Sequence, residues 1–373
     1  MVYNVMDMQT QLQELAALPK DKPYGLSGPF YTDPDYFEWE KKTILHDGWH
    51  CLGRADEIPN VGDFYTLNLL GEPVIIVRTP PDTIQILSNV CRHRGMPVAL
   101  GNGNAKRFVC TYHAWTYGLD GDLLRSARMK NAGFDAEKCS LPQINSVVWN
   151  GFIYATLNDD PVPFAETFSA LDSLISTYEP EKYRFVHSAS EVWHTNWKCL
   201  VENFMEGYHL SVVHPQTLHG YTPTGLSRKG PSGAGFTSYF ANYPDQASPR
   251  GHGAIGLSDE ERRRSTLFAV FPTQVCSEAA SLLVSLSLFP LAADQVEVRW
   301  TLSTYGDDLD AATLESRISL WNEVNREDRE KLELMQAALS SRYATGGPLA
   351  EDDYEGTVRD FQTWLAEQAQ LTA

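Results

Sequence analysis

Cysteine is scarce: six thiols, Cys51, Cys91, Cys110, Cys139, Cys199 and Cys276, serve 373 residues. A chain this long builds its core without a disulfide framework, so its thiols are expected to stay reduced. Long apolar runs are missing too. Residues 281–293 are the most apolar stretch, but Ser285, Ser287 and Pro290 interrupt it and it is too short to span a bilayer. Residues 1–20 lack a basic start followed by an apolar run, so no secretory leader is expected. Basic charge is short: 30 Lys and Arg face 48 Asp and Glu, a net charge of −18. Such a field repels nucleic acid and anionic membranes. The expectation is a cytoplasmic globular protein with neither of those partners.

Length points to two domains, because single cores stop growing near about 250–300 residues. Residues 8–18 and 35–49 have helical spacing. From Cys51 to about Leu157, short apolar runs (FYTLNLL, PVIIVRT, TIQILSNV, RFVCTYHAWTY, WNGFIYATL) alternate with turn residues such as Gly71, Gly103 and Gly121. That texture predicts an all-β module of short antiparallel strands. Helices return over 164–178 and 196–214. Residues 220–256 are rich in Gly, Ser and Pro and read as a loop. Strands are expected over 267–305 and helices over 313–339 and 353–370. The fold class is therefore α+β, with N-terminal helices (1–45) packing on a catalytic domain (161–373) and a β module (46–160) between them.

Two Cys/His pairs lie on two loops of the β module. Cys91-Arg92-His93 is followed, after sixteen residues, by Cys110-Thr111-Tyr112-His113. Thiolates and neutral imidazoles both bind transition metals, so four such ligands imply zinc or an iron–sulfur cluster. A zinc finger wants two Cys two to four residues apart and then two His. One Cys and one His per loop instead suit a Rieske [2Fe–2S] centre, with two thiolates on one iron and two imidazoles on the other.

The second constellation is Glu202-Asn203-Phe204-Met205-Glu206-Gly207-Tyr208-His209, four residues, then His214-Pro215. Two histidines and several acids on one helical stretch suggest a 2-His-1-carboxylate iron site with open positions. His209 and His214 are about 140° apart on an ideal helix, so both can reach one metal only if the helix bulges or ends between them. A π-type irregularity or a helix break is expected near 210–213.

These residues resemble a known family. CRHRG (91–95) and CTYHAWTYGLDG (110–121) look like the Rieske domain of ring-hydroxylating oxygenase alpha subunits, and 196–215 resembles that family's mononuclear iron motif. The resemblance implies a Rieske domain joined to a helix-grip-like iron domain. It implies Cys91, His93, Cys110 and His113 as cluster ligands and His209 and His214 as Fe(II) ligands. The third ligand would come from far downstream: Asp328 first, Glu327 as runner-up, Asp294 a distant third. Glu206 would bridge His209 to His113 of the next subunit of a homotrimer, and Asn203 and Tyr208 would line the iron pocket. A separate NAD(P)H-dependent reductase or ferredoxin would supply electrons, since Gly251-His252-Gly253-Ala254-Ile255-Gly256 follows a loop and not a strand.

Two departures stand out. The family often shows Pro and Gly where this chain has Thr111 and Ala114. Many relatives carry Asp where this chain has Glu206, and those with Glu include oxygenases of quaternary ammonium compounds. That tilts the substrate toward an N-methyl or quaternary ammonium compound, with oxidative demethylation as the reaction. Hydroxylation of an aromatic ring is the alternative. Phe236, Tyr239, Phe240, Tyr243, Phe268 and Phe271 offer aromatic walls for either, or plain core. A Rieske electron carrier without oxygenase activity is the remote alternative. Iron analysis of purified, metal-replete protein separates them: near three irons per chain is expected, whereas two would mean a carrier.

Overall fold

Among the described residues, β-branched and aromatic runs punctuated by turns pair into two seven-stranded sheets and one small one, and helices gather around the second large sheet. The computed structural model describes residues 4–129, 133–306 and 309–371. The chain divides into two units, Cys51–Pro161 and the combination of Met1–His50 with Val162–Ala373.

In the β unit the sheet runs, edge to edge, His50–Arg54, Phe152–Thr156, Gln143–Trp149, Thr83–Ser88, Glu72–Thr79, Asp63–Leu69, Asn102–Asn104. Val74 to Val77 are sealed on both faces. Short strands Phe108–Val109, Thr116–Tyr117 and Leu123–Arg125 form a second sheet. Ile75, Val77, Leu87, Trp115 and Tyr117 pack in one apolar cluster with Cys91 and Cys110, so both thiols sit in the hydrophobic interior.

The other unit is a seven-stranded sheet in the order Tyr183–Trp193, Gln295–Tyr305, Leu282–Ala292, Gln274–Ala279, Arg264–Val270, Phe236–Asn242, Ser227–Lys229. Every neighbouring pair is antiparallel. The long helices Ala311–Leu339 and Asp352–Leu371 and the short helix Trp197–Phe204 belong to the same unit. Among the described residues no helix is long and apolar enough to cross a membrane.

Three expectations are corrected. Residues 220–256 are not all loop: they hold the strands Ser227–Lys229 and Phe236–Asn242. Phe236–Tyr239 are buried on both faces, so no polar alternation marked them. The helix expected over 35–49 becomes an α-helix, Pro34–Glu40, followed by a π-helical turn, Lys41–Leu45. The helix expected over 196–214 stops at Phe204, and Leu210–Val213 is a separate single turn. The break therefore precedes His209 and does not fall at 210–213.

A buried polar staple holds Trp197–Phe204 in place. The Lys198 ammonium donates to the Glu40 carboxylate at 2.7 Å, and neither side chain reaches solvent. Asn196 caps the helix, accepting from the Lys198 N–H, and donates to the Tyr31 and Ala293 carbonyls. Glu202 accepts from the Tyr31 hydroxyl at 2.8 Å and from Gln362 at 3.3 Å. The residue keeps partial exposure, but its carboxyl is enclosed. Burial pushes that carboxyl up to about 7, against the pull of Tyr31, Gln362 and Lys198.

This shift fixes a sign. Below the ordinary value of 4.5 the group is protonated folded and unfolded and imposes no penalty. Between there and about 7 the unfolded chain ionises first, so stability falls as pH rises. Glu202→Gln should remove a decline on the order of 3 kcal/mol across that window. Denaturant melts of both proteins from pH 4 to 8 check it: equal slopes would show an unshifted carboxyl.

Candidate metal centres

The two Cys/His loops fold as the same turn used twice. The Gly95 N–H donates to the Cys91 carbonyl at 2.9 Å, and the Cys91 N–H to the Met96 carbonyl at 2.9 Å. In the second loop the Ala114 N–H donates to the Cys110 carbonyl at 3.0 Å and the Cys110 N–H to the Trp115 carbonyl at 2.8 Å. Gly95 (φ 76°) and Ala114 (φ 56°) occupy the equivalent left-handed position. The left-handed conformation costs a non-glycine residue roughly 1–2 kcal/mol, so Ala114 carries strain that glycine would not.

These turns place the two candidate imidazoles side by side and both candidate thiols in one apolar cluster. The His93 and His113 rings lie 4.6 Å apart, and His93 stacks on Trp115 at 5.0 Å. Cys91 and Cys110 are each 2% exposed, while His113 faces solvent. Desolvation, then His93 and Arg94, lower the His113 imidazole, which favours the neutral, ligating form. The His93 Nδ1 is buried with no hydrogen-bond partner among the described residues. Such an orphan lone pair fits a metal bond. Two thiols and two imidazoles so placed fit a Rieske cluster.

Sequence reading passed over Tyr117. Its hydroxyl lies 3.3 Å from the Cys91 sulfur and accepts from the Arg92 N–H at 3.1 Å. Burial first, then the Cys91 sulfur, push the phenol upward, so it stays protonated and can donate to a thiolate. The only available signal was a tyrosine placed seven residues after Cys110 within the motif.

The second centre is built from one turn and one long helix. His209, His214 and Asp328 each offer a ligand atom, all within 4.8 Å of one another. Asp328 Oδ1 is 3.1 Å from His214 Nε2 and 3.7 Å from His209 Nε2. His214 Nε2 and Asp328 Oδ1 are both buried without a hydrogen-bond partner among the described residues. A lone pair facing a carboxylate oxygen calls for a proton on the imidazole or a cation between the two, and three ligand atoms so placed fit a facial triad. Tyr239 packs close by: burial, then the charges of Glu206 and Asp328, hold its phenol well above the usual range.

Each imidazole is steered from its far nitrogen. Glu206 Oε1 meets His209 Nδ1 at 2.5 Å, and Glu327 Oε2 meets His214 Nδ1 at 2.7 Å. Burial alone would lower the His209 imidazole, but the Glu206 and Asp328 charges leave it raised. Thr217 donates to the same Glu327 oxygen at 2.7 Å. Glu327, the runner-up for the third ligand, thus lies behind His214, while Asp328 lies on the ligand side.

The turn itself is over-determined. The Glu206 carboxylate accepts from the Tyr208 and His209 N–H groups, which ends the preceding helix and starts the next. A Cβ at Gly207 would lie 2.2 Å from the Ser227 hydroxyl, so only glycine fits against that strand. The Gly207 N–H donates to the Tyr354 carbonyl at 3.1 Å, and Thr357 donates to the Met205 carbonyl. Asn203 is half-buried on Trp197–Phe204. Tyr208, expected to line the iron pocket, turns its ring outward: it is 58% exposed and packs on Tyr354 at 6.0 Å. Asp294 does not join the cluster of ligand atoms.

The chain is similar to known proteins. Residues 48–144 match the Rieske [2Fe-2S] domain, and residues 180–371 match the ring hydroxylating alpha subunit (catalytic domain). The glycine betaine monooxygenase oxygenase subunit of Pseudomonas aeruginosa is 25% identical over 389 aligned positions, covering 94% of this chain and 90% of that one. The carnitine monooxygenase oxygenase subunit of Escherichia coli is 32% identical over 190 positions, half of this chain and 51% of its own length. The crystal structure of a quaternary ammonium Rieske monooxygenase superposes with a TM-score of 0.85 at 22% identity, over 96% of this chain and 98% of that one.

The Tyr117 contact has a measurable consequence. A hydrogen bond worth about 1 kcal/mol more to the reduced cluster shifts a one-electron couple by about 40 mV. Tyr117→Phe should lower the reduction potential by about that amount in a redox titration followed by visible absorbance. An unchanged potential would mean the hydroxyl does not reach the sulfur.

Proposed function

This chain belongs to the ring-hydroxylating oxygenase alpha subunits, and from that premise we propose that it is the terminal oxygenase for a quaternary ammonium or N-methyl compound. As a Rieske non-haem iron oxygenase it carries a [2Fe–2S] cluster and a mononuclear iron. The observation that carries the reading is the pair of orphaned atoms, His214 Nε2 and Asp328 Oδ1, within a His–His–Asp cluster on the same chain as a two-Cys, two-His pair of loops.

Cys91 and Cys110 would hold one iron of the cluster, and His93 and His113 the other. His209, His214 and Asp328 would hold Fe(II). When bound, these groups supply single-electron transfer and reductive activation of O₂. The protein's part is orientation and exclusion of water. Glu206 and Glu327 fix the imidazoles so that each Nε2 faces inward. Three protein ligands would leave room at the metal for O₂ and substrate.

Electrons would come from a separate NAD(P)H-dependent reductase or ferredoxin. The assembly would be a homotrimer in which the exposed His113 of one subunit reaches Glu206 of the next, joining the two centres through one carboxylate.

The substrate class rests on Glu206 and on relatives named for glycine betaine and carnitine, both quaternary ammonium compounds. Purified protein with a surrogate reductase, NADH and O₂ should oxidise such a compound and leave an aromatic hydrocarbon untouched. A ring diol as the main product would overturn the substrate assignment. Glu206→Gln should keep both metals, by iron count and visible spectrum, yet turn over about 10–100-fold more slowly. Normal turnover in that variant would remove Glu206 from the electron path.

A further inference from the structure

The glycine motif at 251–256 opens no helix; it presses a loop onto the Ala280–Ser281 turn. Gly251 (φ 90°) and Gly253 (φ 64°) take left-handed conformations, and a Cβ on either would lie 2.2 Å or less from Ser281 or Ala280 atoms. The Ser281 N–H donates to the Arg250 carbonyl, and the Gly253 N–H to the Ser281 hydroxyl, each at 2.9 Å. A loop pinned this tightly fixes the direction of the residue before it, Arg250.

Arg250 is only 4% exposed. Its guanidinium lies 4.6 Å from the centre of the Tyr221 ring and 5.7 Å from that of Tyr243. Its Nε and Nη2 are buried with no hydrogen-bond partner among the described residues. A second guanidinium, Arg317, stands 5.9 Å from the same Tyr221 ring. Both cations lie in the field of the Tyr243 phenol, which burial pushes up and they pull back.

A guanidinium cannot shed its proton to escape burial. Aromatic faces offset part of the lost hydration, but they do not satisfy N–H donors. The two unpartnered nitrogens are the pair that share one edge of the guanidinium. Their N–H bonds run side by side, in the spacing that matches the two oxygens of a carboxylate. The neighbouring second cation favours an anion further.

We propose that Arg250, on its glycine-pinned loop and boxed by Tyr221 and Tyr243, is an anion site that takes a carboxylate side-on through Nε and Nη2. None of these residues is among the candidate metal ligands. Arg317 precedes Asp328 by eleven residues on the helix Ala311–Leu339, about 16 Å along the axis and within about 20° of the same face. The carboxylate belongs either to an organic substrate reaching toward the metal or to a free anion.

The test is thermal unfolding of the metal-replete full chain at matched ionic strength. Sodium acetate and glycine betaine carry the carboxylate; sodium chloride and choline chloride do not. Wild type should gain about 5 °C in Tm at a hundredfold excess of carboxylate over its Kd. Arg250→Met should lose that gain. Arg250→Lys, which keeps the charge without the fork, should bind about tenfold more weakly. Acetate that competes with substrate in steady-state turnover places the carboxylate on the substrate; acetate that stabilises without competing makes it a free anion. Wild type melting alike in acetate and chloride overturns the site, even if the Met variant fails to fold. So does a Met variant that responds like wild type. Tm reads no turnover, so such a failure would leave the oxygenase assignment standing.

Discussion

A nitrogen lone pair on His214 and a carboxylate oxygen on Asp328, both buried, face each other at 3.1 Å. Without a cation this contact is repulsive unless the imidazole takes a proton, and Glu206 and Glu327 add further negative charge behind the rings. A divalent metal resolves that conflict, so ligand binding and local stability are one problem here. Negative charge around the metal also suits a ferrous ion better than a neutral cavity would.

Holding that geometry falls to groups that never touch a metal. The turn that carries His209 is pinned by Gly207 against Ser227, by Thr357 and Tyr354 of the last helix, and by the Glu206 carboxylate acting on its own backbone. Behind it, Lys198–Glu40 and Tyr31–Glu202–Gln362 tie the preceding helix to the N-terminal arm and to the last helix. Buried polar pairs of this kind contribute little net stability, but breaking one leaves an unpaired charge in the core. They act as a register device for the turn that carries His209.

The cluster loops show the opposite economy. One short turn is repeated, with its cysteine in the apolar interior and its histidine toward the rim. Gly95 takes the left-handed position without strain, whereas Ala114 takes it at a cost the surrounding hydrogen bonds must hold. That asymmetry sits on the loop that also carries the exposed His113, the edge proposed to face the neighbouring subunit.

Residue type and spacing drew attention to Cys91, His93, Cys110 and His113, because metal chemistry tolerates few substitutes and leaves a local pattern; His209 and His214 took their roles from the family resemblance. The strand texture of the β unit was legible for the same local reason, through turn residues and short apolar runs. Phe236–Asn242 and Tyr183–Trp193 were not legible, since their fit depends on neighbours distant in sequence. The family resemblance ranked Asp328 above Glu327, and the tertiary structure supplies the geometry: Asp328 Oδ1 beside the His214 Nε2 and Glu327 behind that ring, one residue apart on a charged helix. The tertiary structure alone moved the helix break ahead of His209, turned Tyr208 outward, and buried Arg250 without a partner. Composition and spacing carry chemistry that is local, while direction and burial arise from packing between segments that no window of sequence contains.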